Sequence, residues 1–158
     1  MLFNVAALSL LSLPLAFAGK GRSAPIYTNI TVFDPPSDYT VPRTLYARVM
    51  SLDCTDTLLA TWENYLPTET PEEACPSNCP ENPYIPIYQS FDQGKTWSER
   101  AKVFDQVNGW GLRYQPFLHE TEEAYGDYPA GTLLLAANSI PADLSETKID
   151  VYASKDEG

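Results

Sequence analysis

The sequence has little that could hold a metal ion or contact a polyanion. Its one histidine and three cysteines, Cys54, Cys75 and Cys79, do not supply four ligands at the spacing of a zinc site. Only 10 lysines and arginines stand against 21 aspartates and glutamates, so the formal net charge is −11. Because nucleic-acid phosphates need a basic surface, this charge argues against a nucleic-acid partner. We therefore predict a protein that needs no metal ion or other cofactor.

Helical periodicity is also missing after the first 18 residues. No long segment keeps an apolar period near 3.6 residues, and 14 prolines interrupt most windows. Short runs rich in β-branched and aromatic residues, bounded by turn residues, occur instead. These runs predict strands at 24–33, 44–52, 57–65, 84–90, 97–104, 112–120, 131–140 and 148–154. The sequence therefore predicts an all-β protein.

Only one apolar run is long, and it lies at residues 1–18. It has the length of a secretory signal, and small residues, Ala16 and Ala18, precede Gly19. Pro14 and the short apolar span argue against a membrane anchor. We therefore expect a secreted, extracellular protein that folds from residue 19 onward and has no membrane partner.

In an oxidising compartment, two further sequence features are candidate modification sites. Cys75 and Cys79 are candidates for a disulfide that closes a small loop, which leaves Cys54 either without its partner or simply buried. The triplet Asn29-Ile30-Thr31 is an acceptor sequence for N-glycosylation, so Asn29 is a candidate glycosylation site.

The sequence repeats itself with a period of about 64 residues, the separation of Ser90 and Ser154. DTLLATWEN aligns without a gap with GTLLLAANS, so that Glu63 corresponds to Asn138. A propeller blade typically takes roughly 40–50 residues, and insertions at 66–83 and 121–130 account for the excess. The repeat therefore predicts two copies of one antiparallel unit.

The segment SFDQGKTW at 90–97 reads as a structural hairpin turn. Gly94 suits a backbone with positive φ, Asp92 can accept hydrogen bonds from amides of its own turn, and Trp97 can pack between sheet layers. The carboxyl end, SKDEG, repeats the beginning of this segment. The motif positions are Ser90, Asp92, Gly94, Thr96 and Trp97 in the first copy, and Ser154, Asp156 and Gly158 in the second.

The pattern S-x-D-x-G-x-T-W is that of the Asp box, or BNR repeat, of sialidase-like β-propellers. From about residue 30 to the end, the chain also resembles the secreted fungal propellers of glycoside hydrolase family 93, which are exo-acting arabinanases. It departs from that family at the cysteine-bearing insertion 66–83 and at LDCTDT, where such repeats usually carry an Asp-Gly turn.

This resemblance implies a six-bladed β-propeller with four antiparallel strands in each blade. Residues 44–104 would form blade 1, residues 112–158 an incomplete blade 2, and residues 24–33 a strand that closes the ring with the last blade. We therefore expect residues 19–158 to be an amino-terminal fragment of about two blades, from a protein that is monomeric at full length. The fragment alone is expected to be poorly soluble or partly unfolded, because blade faces and strand edges stay uncovered.

The resemblance also implies that a carbohydrate binds at one end of the central channel. Trp110 could stack on a sugar or pack between blades, and Arg113 could bind hydroxyls or pair with a carboxylate. Glu63 could be a functional carboxylate or the partner of a channel arginine, whereas His119 has no assigned role. The substrate-binding candidates are Arg43, Glu63, Asn64, Trp110, Arg113, Tyr114, Gln115 and Asn138.

Glycosidases need two carboxyl groups about 5–10 Å apart, and no convincing pair is present. The resemblance implies that the catalytic glutamates come from later blades, so this chain alone is expected to be inactive. The expected function is that of part of a secreted hydrolase exo-acting on α-1,5-arabinan. Two alternatives stay open: a sialidase, which would need further channel arginines, and a non-catalytic propeller that binds carbohydrate or protein.

Overall fold

The computed structural model describes residues 29–53, 55–67 and 83–156 of the chain. The expected signal, the three cysteines and Gly158 lie outside these ranges. Seven strands and no helix occur within them, so the described residues hold no helix that could cross a membrane. The strands are β1 (Thr44–Ser51), β2 (Leu58–Asn64), β3 (Ile85–Ser90), β4 (Ser98–Val103), β5 (Leu112–Glu120), β6 (Leu133–Ser139) and β7 (Lys148–Ser154).

The strands form two antiparallel sheets in which each strand pairs with its neighbour in sequence. The first sheet has the order β1-β2-β3-β4 and the second the order β5-β6-β7. Each sheet is therefore a meander built from hairpins, as in a propeller blade. The seven strands lie within two residues of the bounds predicted from the sequence, and the predicted all-β antiparallel architecture is confirmed.

The segment before β1 differs from the expected strand at 24–33. Its described part, 29–33, is not assigned to a strand, and residues 24–28 lie outside the described ranges. Phe33 nevertheless anchors this segment, because its ring stacks on Trp62 of β2 with centroids 5.1 Å apart. The Asn29 side chain is exposed, and its use as a glycosylation site stays a prediction.

The hydrophobic core lies between the two sheets. In β6, buried and half-buried residues alternate along the strand, which is the pattern of a strand with one covered face. In β2, six consecutive residues are buried because β5 covers one face while Phe33 and Tyr88 pack on Trp62. The buried cluster consists of Leu52, Leu59, Ile85, Ile87, Leu112, Leu118, Leu133, Leu135 and Ala137.

The segment 90–97 forms the hairpin turn between β3 and β4, and Asp92 organises it. The Asp92 carboxylate accepts hydrogen bonds from the Ser90 hydroxyl at 2.8 Å and from the amide and hydroxyl of Thr96 at 2.8 and 2.7 Å. Gly94 has φ +90°, and its carbonyl accepts a hydrogen bond from the Trp97 indole at 3.1 Å. The turn therefore satisfies its own polar groups, as a structural element does.

The second copy of this segment begins in the same way. The Ser154 hydroxyl donates to the Asp156 carboxylate, and the Asp156 amide donates back to that hydroxyl at 3.3 Å. Arg100 of β4 ties the two sheets together here, because its guanidinium donates to the Asp156 carbonyl at 2.9 Å. The repeat seen in the sequence is thus also a repeat of local geometry.

We expect Asp92→Ala to lower the melting temperature of the full-length gene product. The backbone amide of Thr96, and then its hydroxyl, lower the pKa of Asp92 from 3.8 to about 2. A depressed folded-state pKa means that the carboxylate stabilises the turn above about pH 4 and that this contribution is lost as the pH falls towards 2. Thermal unfolding at about pH 6 and about pH 2 checks both points, with the exposed Asp127→Ala as control. Equal melting temperatures of Asp92→Ala and its control at about pH 6 would contradict the expectation.

Candidate functional site

The first strands of the two sheets, β1 and β5, lie next to each other, and both are bulged. The register with the neighbouring strand shifts between Leu45 and Arg48 in β1 and between Arg113 and Phe117 in β5. Bulges re-aim side chains and are frequent next to active sites. This irregularity therefore marks the shared end of β1 and β5 as the candidate site.

Each bulge contains a tyrosine in the left-handed backbone region. Tyr46 has φ 56° and Tyr114 has φ 53°, and Gln115 follows with φ 35°. Side chains with a Cβ adopt such angles at a cost of about 1–3 kcal/mol each, which the surrounding structure must offset. Both tyrosines are about two-fifths exposed, so the strained backbone presents aromatic side chains to solvent.

Glu63, at the end of β2, lies between these two strands. Its side chain is only 2 % exposed. The carboxylate accepts a hydrogen bond from the Tyr65 hydroxyl at 3.2 Å and another from the backbone amide of Tyr114. Burial raises the pKa of Glu63, and the two hydrogen bonds and the positive charge of Arg113 oppose that rise only in part. The structure thus brings together three of the candidate residues, Glu63, Arg113 and Tyr114.

Arg113 acts on Glu63 through its charge and forms no direct ion pair with it. The Nε atom of Arg113 is buried and has no hydrogen-bond partner among the described residues. Asn138 lies directly opposite Arg113 in the β5–β6 pair, but its amide donates to the Thr147 hydroxyl at 3.2 Å. Gln115 is exposed beside them. Polar groups from one loop and two strands therefore converge at this end of the second sheet.

Two other candidates make contacts within the protein. Asn64 is 5 % exposed, and its side-chain oxygen accepts a hydrogen bond from the Trp62 indole at 2.7 Å. Arg43, with φ 73°, donates from Nη2 to the Ser37 carbonyl at 3.4 Å. Asn64 therefore fixes the core tryptophan, and its contact with a sugar stays a prediction.

Trp110 lies in the loop between β4 and β5 and packs against Lys148. The Lys148 ammonium is 4.1 Å from the centre of the indole ring, a distance that gives a cation–π interaction. The Trp110 amide donates to the Asp105 carboxylate at 3.1 Å. These contacts favour the structural alternative for Trp110, and its stacking on a sugar stays a prediction.

Asp105 is a residue that sequence reasoning missed. It follows β4, and it links the loop between the sheets to the strands of the second sheet. Burial would raise the pKa of its carboxyl, but hydrogen bonds outweigh that effect and hold the pKa well below its usual range. The donors are the amides of Val107, Asn108 and Trp110 and the hydroxyls of Ser139 and Tyr152. No local pattern in the sequence marks this aspartate.

Tyr46 and Tyr65 were also missed. The Tyr65 hydroxyl has its pKa raised to about 12 by burial and by Glu63, and the tyrosines of both bulges contribute to that rise. Tyr65 thus connects the Glu63 carboxyl with the tyrosines of the two bulges. The internal repeat offered a signal for Tyr46, because TLYARV occupies the place in the first sheet that LRYQPF occupies in the second.

An open groove of about 430 Å³ adjoins the β1 bulge on the side of residues 31–33. Phe33, Tyr46 and Trp62 are among its lining residues, which are mainly apolar. Over the described parts of the chain, no group of three or more histidine, cysteine, aspartate or glutamate side chains could hold a metal ion. The site offers aromatic rings, an arginine and amides, which is the chemistry that binds sugars.

No protein-family model matches this chain, and no curated protein matches it. Solved structures do match. The family 93 α-L-arabinofuranosidase of Fusarium graminearum, in complex with arabinobiose, is 51 % identical with a TM-score of 0.73, over 84 % of this chain and 33 % of that one. The α-L-arabinanase of Penicillium chrysogenum, also complexed with arabinobiose, is 55 % identical with a TM-score of 0.73, over 84 % of this chain and 34 % of that one. The chain thus spans about a third of the length of these proteins.

Proposed function

We propose that this chain forms part of the channel wall of a secreted family 93 glycoside hydrolase that is exo-acting on α-1,5-arabinan. The observation that carries the proposal is the 51–55 % identity to an arabinofuranosidase and an arabinanase, both complexed with arabinobiose. In this proposal the full-length protein is an extracellular monomer, and this chain contributes substrate binding.

The geometry supports a binding role better than a catalytic one. A glycosidase needs an acid and a nucleophile or base that both reach the scissile bond. Glu63 is the carboxyl group at the centre of the site, and its 2 % exposure leaves no surface for a sugar. We therefore assign the catalytic pair to residues outside this chain.

The charges at the site favour a neutral sugar over a sialyl conjugate. A sialidase binds the substrate carboxylate through arginines that are free to pair with it. Here the charge of Arg113 acts on Glu63, and the protein carries a net charge of −11. An anionic sugar would therefore meet an arginine whose positive charge already acts on Glu63.

The experiment is an assay of the full-length gene product on linear α-1,5-arabinan and on sialyl conjugates. We expect sugar release from arabinan and none from the sialyl conjugates. Release of sialic acid would overturn the proposal in favour of a sialidase. Binding of arabinobiose without hydrolysis of arabinan would favour a non-catalytic carbohydrate-binding propeller.

Tyr114→Gly is expected to weaken arabinobiose binding by about tenfold while leaving the fold intact. Glycine adopts the left-handed backbone of residue 114 without strain, but it removes an exposed aromatic ring worth about 1 kcal/mol or more at a binding surface. Titration calorimetry on the full-length gene product measures the change, with the 80 % exposed Tyr125→Gly as control. An unchanged affinity would place Tyr114 outside the sugar site.

A further inference from the structure

We propose that Glu63 is a positioning residue, which holds the bulged backbone of β5 in place so that Tyr114 and Gln115 stay presented at the site. The inference rests on the proposed function, because it assigns a task to a residue within the same site. It also separates Glu63 from the catalytic carboxyl groups that a hydrolase requires.

Glu63 is placed to hold the protein and not to touch a ligand. Its carboxylate is buried at the end of β2, in the first sheet. It accepts hydrogen bonds from the Tyr65 hydroxyl, which follows β2, and from the Tyr114 amide, which belongs to the second sheet. One side chain therefore joins the two sheets at the point where the β5 bulge occurs.

The β5 bulge needs such a partner. Tyr114 and Gln115 have positive φ in succession, and Pro116 follows them fully buried. A residue before proline normally prefers an extended backbone. The backbone of Gln115 is therefore unfavourable both because its φ is positive and because it precedes Pro116. A strained backbone conformation persists only where contacts with the surrounding structure stabilise it. The buried carboxylate meets this need, because a hydrogen bond from an amide to an ionised acceptor is stronger than one to a neutral acceptor.

The surroundings of the carboxyl group also fit this task. The charged group acting on it is Arg113 of β5, and Tyr46 of β1 acts electrostatically on Tyr65. The Tyr65 hydroxyl donates to one carboxylate oxygen at 3.2 Å and so limits the rotation of the carboxyl group. All three strands that meet here, β1, β2 and β5, therefore contribute to one polar cluster.

The test compares Glu63→Gln and Glu63→Ala in the full-length gene product, with the exposed Glu123→Gln as the matched control. The first readout is the amide ¹⁵N–¹H signal of Tyr114 in protein labelled at tyrosine, followed as a function of pH. The second readout is the affinity for arabinobiose. The amide signal is assigned by its loss in Tyr114→Phe.

We expect the Tyr114 amide signal to move as Glu63 titrates, and this movement to be absent from both Glu63 variants and retained in the control. Glutamine keeps an acceptor oxygen, so Glu63→Gln is expected to bind arabinobiose within about threefold of the parent protein. Alanine leaves the Tyr114 amide without its acceptor, so Glu63→Ala is expected to bind at least about tenfold more weakly.

Three results separate the possible failures. If the parent protein binds no arabinobiose, the proposed function fails. The pH dependence of the Tyr114 amide signal still tests the positioning role in that case. If binding is normal but the amide signal is the same in Glu63→Gln as in the control, the positioning role alone is wrong. If Glu63→Gln loses affinity as fully as Glu63→Ala while the amide signal is unchanged, Glu63 contacts the sugar directly, which also overturns the inference. Should Glu63→Ala not fold, Glu63→Gln and the amide signal still give the answer.

Discussion

Asp105→Ala is expected to lower the free energy of unfolding of the full-length gene product by about 3 kcal/mol. A hydrogen bond to a charged group contributes about 1.5–3 kcal/mol, and a buried donor that loses its partner adds a desolvation cost of similar size. Asp105 accepts from three loop amides and two hydroxyls, several of them partly exposed, so the sum is well below five full contributions. Chemical denaturation at about pH 7 measures the change.

The pH dependence of this effect has a definite sign. The folded-state pKa of Asp105 lies well below its usual range, so its stabilising contribution is fully present above about pH 4 and is lost as the pH falls below that value. The difference between the parent protein and Asp105→Ala should therefore shrink in acid. Asp34→Ala, at an exposed position, is the control. If Asp105→Ala were no less stable than this control at about pH 7, the network would not stabilise the fold.

The second prediction concerns the chain as it stands. Expressed alone, residues 19–158 are expected to aggregate or to unfold without a sharp transition. The outer edge of β7 pairs with no other strand in the described structure, and Ile149 and Val151 on β7 are 75 % and 62 % exposed. Val49 on β1 and Phe117 on β5 are 60 % and 57 % exposed as well. Uncovered strand edges with apolar side chains promote association between chains.

Size-exclusion chromatography with light scattering, followed by thermal unfolding, checks this prediction. The full-length gene product is the control, and we expect it to be monomeric with a cooperative transition. Replacing Ile149 and Val151 by lysine in the short chain should raise its solubility, because charged side chains block edge pairing. A monomeric short chain with one sharp melting transition would show that the prediction is wrong.

The local parts of the fold could be predicted from the sequence. The strands follow from runs of β-branched and aromatic residues. In an extended chain every second side chain points to the same face, so the residues on the covered face can be identified from the sequence. The turn at 90–97 follows from residues that bond to their own backbone within a few positions. The family resemblance, confirmed by solved structures, added the arrangement of such hairpins into blades.

The site could be predicted only in part. The sequence placed Glu63, Arg113 and Tyr114 at strand ends that a propeller brings together, and the structure does bring them together. It did not reveal that Glu63 is buried and bonded to the Tyr114 amide, because a bulge of two extra residues cannot be read from a hydrophobic pattern. Asn64 was placed at the site by its position alone, whereas its side chain turns to Trp62.

The sequence by itself thus determined the strands, the hairpin turns and the repeat, since each of these depends on residues close together in the chain. Only the tertiary structure decided which polar groups meet. Asp105 and Tyr152, or Glu63 and Tyr114, are far apart in sequence and become partners only when two twisted sheets pack against each other. Their hydrogen bonds depend on the register, the bulges and the packing of whole strands, and none of these leaves a mark in the local order of residues.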